Sequence, residues 1–402
     1  MTDDTSGTLD EALERLHASG PERHGWLSNH APMAVEALVR HGQGRTVHRW
    51  LDHYRDKLEE MPRPYAAITE ENWREALGDP RRLADWPAYF DRELADRPWQ
   101  DVLTVWWPRL LPGIAAGATH PVIRVGHAVR TLLDDPGTTT APRTAELAHA
   151  LGYWAARHAP LPPLRLLPGP ASGSAADALA AVEPIADQSG GIRERLARLT
   201  AFPTWPPSAP RPARPSASQP SRTTGPDRDR PDRPDRPDGP GGSDGPGPDS
   251  PGRPHGPDNP ADRPEEARQH LTELVRAATH RYATHGHGEP IMLVHAATAP
   301  NAVLRALPAL PRELWAPSLD AAWAASAAVT AVYAPAEALP ADRLPSVDGA
   351  GVTPEEVFAH AAAHGDEHAI KLTDTALDVA RTTDPTALAA ALHACAMIDP
   401  VL

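Results

Sequence analysis

Between Pro203 and Pro264 the chain carries too few large apolar side chains to form a core. The interval holds 19 of the 48 prolines and repeats Arg-Pro-Asp around Arg230 to Asp238. No Val, Ile, Leu, Met, Phe, Tyr or Trp occurs between Trp205 and Leu271. Such a segment cannot bury enough apolar surface to offset the entropy it would lose on ordering. Residues 203–264 are therefore expected to be a disordered linker, and no feature singles out a partner for them. What folds must come from residues 1–202 and 265–402, about 340 residues in all, ample for one large core. Histidines lie on both sides of the interval, so the flanks are expected to be two halves of one domain.

Both flanks read as helix. Leu9, Leu13 and Leu16 stand at i, i+4 and i+7, and similar spacing recurs in 29–40, 47–58, 145–157, 265–283 and 321–334. Alanine, leucine, glutamate and arginine dominate, and all favour helix. Strand signals are sparse, the best being Ile291 to Val294. The expected class is all-α, a single large helical domain with an insertion.

Composition narrows the function classes. The balance of 39 basic against 53 acidic residues gives a net charge of −14, which argues against a nucleic-acid surface. The start, Met1-Thr2-Asp3-Asp4, is acidic and polar, unlike a signal peptide. The most apolar run, Ala321 to Ala336, is mostly alanine broken by Ser326 and Thr330, and reads as a buried helix rather than a membrane span. A soluble, cytoplasmic protein without membrane partners is the expectation. Cys395 is the only cysteine beside 20 histidines, so any metal must be held by imidazole, carboxylate or modified lysine. Such ligands suit iron, zinc or manganese.

One motif stands out among the histidines. His360, His364 and His368 recur every four residues, and Lys371 comes three later. Thr353 as N-cap, Pro354 at the first position and Glu355-Glu356 predict a helix running through all of them. Histidines at i, i+4 can converge on one ion, although a solvated face carrying histidine has the same spacing. Other suggestive settings are His30, opening the run 31–40, His120 and His127 around Arg124, and His295 at the end of an apolar run. His24, His41, His48, His53, His149, His158, His280, His285, His287 and His393 lie among charged residues and read as surface or capping histidines.

Four short blocks occur in a telling order: Ser28-Asn29-His30-Ala31-Pro32-Met33, His120-Pro121-Val122-Ile123-Arg124, Val294-His295-Ala296-Ala297-Thr298-Ala299-Pro300, and Asp366-Glu367-His368-Ala369-Ile370-Lys371. In them the chain resembles the questin oxidase family, ring-cleaving oxygenases of aromatic polyketides in fungi, with bacterial relatives. The resemblance implies a mostly helical enzyme with non-haem Fe(II) held by His30, His120, His295, His368 and a carbamylated Lys371. It also implies dioxygen and a polycyclic aromatic substrate such as an anthraquinone, a Baeyer–Villiger-like outcome, and NADPH as external reductant in some members. No Gly-x-Gly-x-x-Gly follows a strand here, so no built-in dinucleotide site is expected.

Alternatives stay open at several positions. His127 lies two turns beyond His120, and the family block favours His120. Arg124, where fungal members tend to carry a further histidine, is a candidate catalytic group holding an anionic phenolate or superoxide-like species, or else a structural ion-pair partner. Spacing alone makes Lys371 a surface partner of Glu367 or Asp374, and only the resemblance makes it a carbamate. With a reference pKa of ~10.4, about one lysine in a few thousand is neutral at pH 7, so a carbamate needs a site that lowers that value. Glu367, with Asp366, is the candidate base if the chain is instead a helical zinc- or manganese-dependent hydrolase. A non-catalytic helical scaffold is the third reading.

Overall fold

Alanine and leucine at helical spacing condense into helices on both sides of the proline-rich interval, and the fold is all-α. The computed structural model describes residues 5–134, 139–206, 263–344, 352–382 and 384–402. Among them the only sheets are an antiparallel pair, Glu22–Arg23 with Leu27–Ser28, and a parallel pair, Arg165–Leu167 with Ala201–Pro203. No helix of the described residues is long and apolar enough to cross a membrane.

Most of the expected linker, residues 207–262, lies outside the described residues. Its expected edges are ordered. Pro203 closes a strand, Trp205 is buried with its ring 5.5 Å from that of Trp323, and a helix already starts at Arg263. Described residues on either side of 207–262 belong to one compact unit.

Two expectations fail for local reasons. Ile291 to Val294 is not a strand: Pro290–Leu293 is a short helix with proline at its start, and Val294 caps the next helix, His295–Ala306. Four apolar residues in a row do not distinguish a buried helical turn from a strand. Nor do His360, His364 and His368 share a helix. One helix, Pro354–His364, ends at Gly365, which takes the left-handed conformation (φ +80°) that glycine adopts without strain. A second, Glu367–Thr382, starts at once. Asp366 Oδ1 begins it by accepting from the backbone N–H of His368 (2.8 Å) and Ala369 (3.1 Å). His360 is therefore exposed, and His364 is tied to the Ile398 carbonyl (2.8 Å).

The buried apolar residues form two main clusters. The larger contains Val122, Ile123, Val129, Ala297 and Val303, along with an aromatic group in which the Trp86, Phe90 and Trp106 rings pack edge to face or stacked. The smaller contains Ala34, Val35, Leu38, Phe358, Ile370 and Leu377. Four helices carry the residues that converge inside the molecule: Ala31–Arg40 and Glu367–Thr382 in the smaller cluster, His120–Asp134 and His295–Ala306 in the larger. The last two pack closely at Gly126, where a Cβ would stand 2.5 Å from that of Ala302. Only glycine permits that approach.

Candidate metal centre

Each of the four helices begins at a histidine. His30 is the N-cap of Ala31–Arg40, His120 and His295 are the first residues of theirs, and His368 is the second of Glu367–Thr382. The four imidazoles meet, all buried, with one nitrogen of each within 4.8 Å of the others. Four helix N-termini therefore point at one place. Their dipoles make it a positive environment that favours anionic groups.

The turn before His120 is strained. Gly117, Ala118 and Thr119 have φ of 55°, 53° and 66°, a left-handed run that costs the last two residues roughly 1–2 kcal/mol each. Its effect is to return the Gly117 carbonyl to the ring it precedes, where it accepts from His120 Nδ1 at 2.6 Å. His295 Nδ1 donates in the same way to the Met292 carbonyl at 2.9 Å. A carbonyl can only accept, so in both rings the proton sits on Nδ1 and Nε2 is bare.

Those bare nitrogens face each other. His120 Nε2 lies 2.8 Å from His295 Nε2 and 2.7 Å from His30 Nε2. Burial first, and then the Lys371 charge, hold His30 and His120 well below the ordinary imidazole value, and burial, His120 and Lys371 do the same for His295. Protonation cannot therefore relieve two lone pairs aimed at each other. An electron-pair acceptor between them can, and a metal cation is such a group. His30 Nδ1 and His368 Nδ1 are buried without hydrogen-bond partners, with carboxylate oxygens of Glu367 and Asp366 at 3.8 and 3.5 Å.

Lys371 is not a surface residue. It is 1% exposed and its Nζ has no hydrogen-bond partner. Burial pulls its amine down to about 7, against opposing attraction from Glu367 and Asp366. A large fraction is neutral at pH 7, the form that reacts with CO2. The surface pairing with Glu367 or Asp374 does not occur, because both carboxylates are engaged elsewhere. Glu367 accepts from Lys57 Nζ at 3.0 and 3.2 Å and stands 3.8 Å from His30 Nδ1.

The remaining candidates separate from the cluster. Both forks of Arg124 go to Glu146, Nε to Oε1 at 2.6 Å and Nη2 to Oε2 at 2.7 Å, so the structural ion pair is the role the geometry gives it. His127 is bound through Nδ1 to Glu36 (2.7 Å) in a separate buried network, two turns along from His120. His41, read as a surface residue, belongs to that network: its side chain is buried and bonded to Asp374 at 2.8 Å. Its charged neighbours in sequence concealed this.

Tyr54 was not anticipated. Its hydroxyl accepts the His30 backbone N–H at 2.9 Å, and burial together with the Glu367 charge pushes the phenol up, so it stays protonated. A cavity of about 670 Å³ is walled by Trp26, Gly117, Arg157, Leu161, Ile192 and Leu196. Of these, Gly117 also holds His120 through its carbonyl.

Residues 27–135 match the questin oxidase-like family. The match covers roughly a quarter of the chain and includes the strained turn, His30 and His120. His295, His368 and Lys371 lie beyond it, and the structure brings these histidines back to the matched pair. No curated protein matches the chain. A questin oxidase-like match, with a buried histidine cluster able to bind a metal, suggests an oxidoreductase of the oxidase kind.

Proposed function

We propose that this chain is a questin oxidase-like non-haem iron oxygenase that opens a ring of a polycyclic aromatic polyketide of anthraquinone type. The observation that supports the metal is the acceptor-to-acceptor contact of His120 Nε2 with His295 Nε2, which a bound cation would resolve. His30, His120, His295, His368 and Lys371, the last as its carbamate, would hold the ion. Bound there, iron would supply the one-electron chemistry that lets dioxygen react with a closed-shell aromatic ring.

The chain's own residues set the conditions. Gly117 and Met292 fix the tautomers of two imidazoles. Glu367, held by Lys57, stands beside His30 as a positioning group. Tyr54 keeps a proton on the hydroxyl that orients the His30 backbone. Burial of the whole cluster excludes water from a reactive centre. The cavity walled in part by Gly117, about 670 Å³, falls in the range of small-molecule sites and is large enough for a fused-ring aromatic. Reducing equivalents would come from free NADPH.

A zinc or manganese hydrolase needs an unengaged base, and neither carboxylate is one: Asp366 caps a helix and Glu367 is paired with Lys57. Metal analysis of untagged protein purified without added metal tests the proposal. One iron per chain, together with dioxygen uptake on a hydroxyanthraquinone, is expected. Stoichiometric zinc, or metal well below one per chain, would overturn it.

A further inference from the structure

A second buried tier lies deeper in the same four helices. Counting from each histidine, Glu36 stands six residues on from His30, and His127 and Arg130 stand seven and ten from His120. Asn301 and Arg305 stand six and ten from His295, and Asp374 and Asp378 six and ten from His368. At 1.5 Å per residue this places the tier about 9–15 Å inward along every helix. The spacing is nearly the same four times, although the helices are far apart in sequence.

The tier joins them completely. Arg130 donates from Nε to Glu36 Oε1 at 3.0 Å, and from Nη1 and Nη2 to the two Asp374 oxygens at 3.0 and 3.1 Å. Its Nη2 also reaches Glu36 Oε2, which takes a further bond from His127 at 2.7 Å. Arg305 donates to Asp374 Oδ2 at 2.8 Å and to Asp378 Oδ2 at 2.6 and 2.9 Å. Asn301 adds bonds to Asp378 at 3.1 Å and to Thr375 at 3.2 Å. Every pair crosses from one histidine-bearing helix to another.

We infer that this tier is the positioning device of the metal centre, fixing the axial register of the four helices so that their leading histidines arrive together; the inference rests on the proposed metal site. Apolar faces could hold the helices side by side, and taking ions out of water costs more than burying such faces. Apolar contacts, however, resist sliding weakly. A slip of one residue moves a helix by 1.5 Å, whereas metal–ligand distances tolerate about 0.2 Å. Bidentate forks are directional and break on such a slip. Arg130 grips two helices besides its own, and Asp374 is gripped from three, by Arg130, Arg305 and His41 at the end of Ala31–Arg40, so no helix can shift alone. Glu36, Arg130, Arg305 and Asp374 are thus positioning residues.

Cobalt(II) is a suitable probe, because its visible absorption bands report ligand geometry apart from any turnover. The full chain is titrated with cobalt as wild type, Arg130→Lys, Arg305→Lys and Asn301→Ala, with Leu151→Val, buried in the larger core cluster, as a control. Lysine keeps the charge but cannot fork. The two lysine variants should bind cobalt at least tenfold more weakly with displaced bands, and Asn301→Ala about threefold more weakly. Leu151→Val should melt lower yet keep wild-type affinity and bands. If a lysine variant fails to fold, Asn301→Ala, which loses only the outer bonds, carries the test. Wild-type affinity and bands in the variants that fold would overturn the inference, as would an equal loss in Leu151→Val. No cobalt binding by the wild type would overturn the metal reading, and this inference with it.

Discussion

The histidine tier and the ion-pair tier are built by the same four helices, one at their first residues and the other two to three turns inward. Both are buried, yet they differ in how their polar atoms are satisfied. In the ion-pair tier each charge meets opposite charges from other helices: Arg130 meets Glu36 and Asp374, and Arg305 meets Asp374 and Asp378. In the histidine tier acceptor faces acceptor, and Lys371 Nζ, His30 Nδ1 and His368 Nδ1 have no hydrogen-bond partner, the carboxylates nearest the two imidazoles standing at 3.8 and 3.5 Å. Burial is common to both, so burial does not explain the difference. The first tier is closed within the protein, and the second is an arrangement that could bind a metal ion.

Helix direction sharpens the contrast. The ion-pair tier lies mid-helix, where the backbone dipoles largely cancel. The histidine tier lies at four positive helix ends, where a bare cation among neutral imidazoles is disfavoured. An anionic ligand offsets that field, and a carbamate on Lys371 is one that the chain itself can make. The same field disfavours a lysine ammonium, in line with the lowering of Lys371 by burial.

The largest expected effect comes from opening the closed tier. Asp374→Ala leaves Arg130 and Arg305 with buried, partly unmatched charge and should destabilise the chain by roughly 3–5 kcal/mol. His295→Ala removes one of two opposed lone pairs and should cost the metal-free chain far less, while abolishing metal binding. Chemical denaturation of the two apo variants compares them directly. If the histidine variant is the less stable, the contrast between tiers is wrong.

Legibility in the sequence divides along the same line. Helices with continuous apolar spacing are readable, and the four histidines that meet stand in short recognisable blocks. The ion-pair tier is not readable as contacts, because Glu36, Arg130, Arg305 and Asp374 look like ordinary charges on helix surfaces, and their partners lie as far as 333 residues away. The recurring offsets from the histidines, six or seven residues and then ten, are a signal, but one visible only after the histidines are known to meet. The break at Gly365 was signalled by Gly-Asp between two histidines, yet a four-residue period outweighed it. His41 fails for the same reason as Arg130: burial by a distant helix leaves no local mark.

A second prediction uses Glu146 of the helix Ala141–Arg157, closed in a pair with Arg124 of the His120 helix. Burial alone pushes this carboxyl up, but Arg124 and His17 outweigh it and hold it at about 2. A carboxyl lowered from 4.5 to about 2 lends stability that is complete above its unfolded value and fades as pH falls toward 2. The loss should be on the order of 3 kcal/mol between pH 5 and 2. Arg124→Met should flatten that part of the stability profile, measured by denaturation at a series of pH values. An unchanged slope would show that Arg124 does not hold Glu146.

The smallest effect concerns Lys371 and has the opposite sign. In chelator-treated protein kept free of CO2, Lys371→Met replaces a buried amine that has no partner with an apolar side chain of similar length. It should therefore stabilise the apo chain, by roughly 2 kcal/mol. The amine has a folded value of about 7 and an unfolded value of 10.5. Below pH 7 the unfolded chain is protonated at this position and the folded chain must either bury the charge or give up the proton, so the penalty is complete. Between pH 7 and 10.5 the folded amine is neutral while the unfolded one is still protonated, and the cost of giving up that proton falls as pH rises, so the penalty fades. The advantage of methionine should accordingly be greatest at pH 6–7 and vanish toward pH 10. Bicarbonate separates a carbamate from a merely neutral amine: added before metal, it should raise metal occupancy in the wild type and leave Lys371→Met and Lys371→Arg unchanged, since neither side chain forms the carbamate. If Lys371→Arg loads metal as the wild type does, the carbamate is not the anionic ligand. The positive field at the four helix ends must then be met by some other anion.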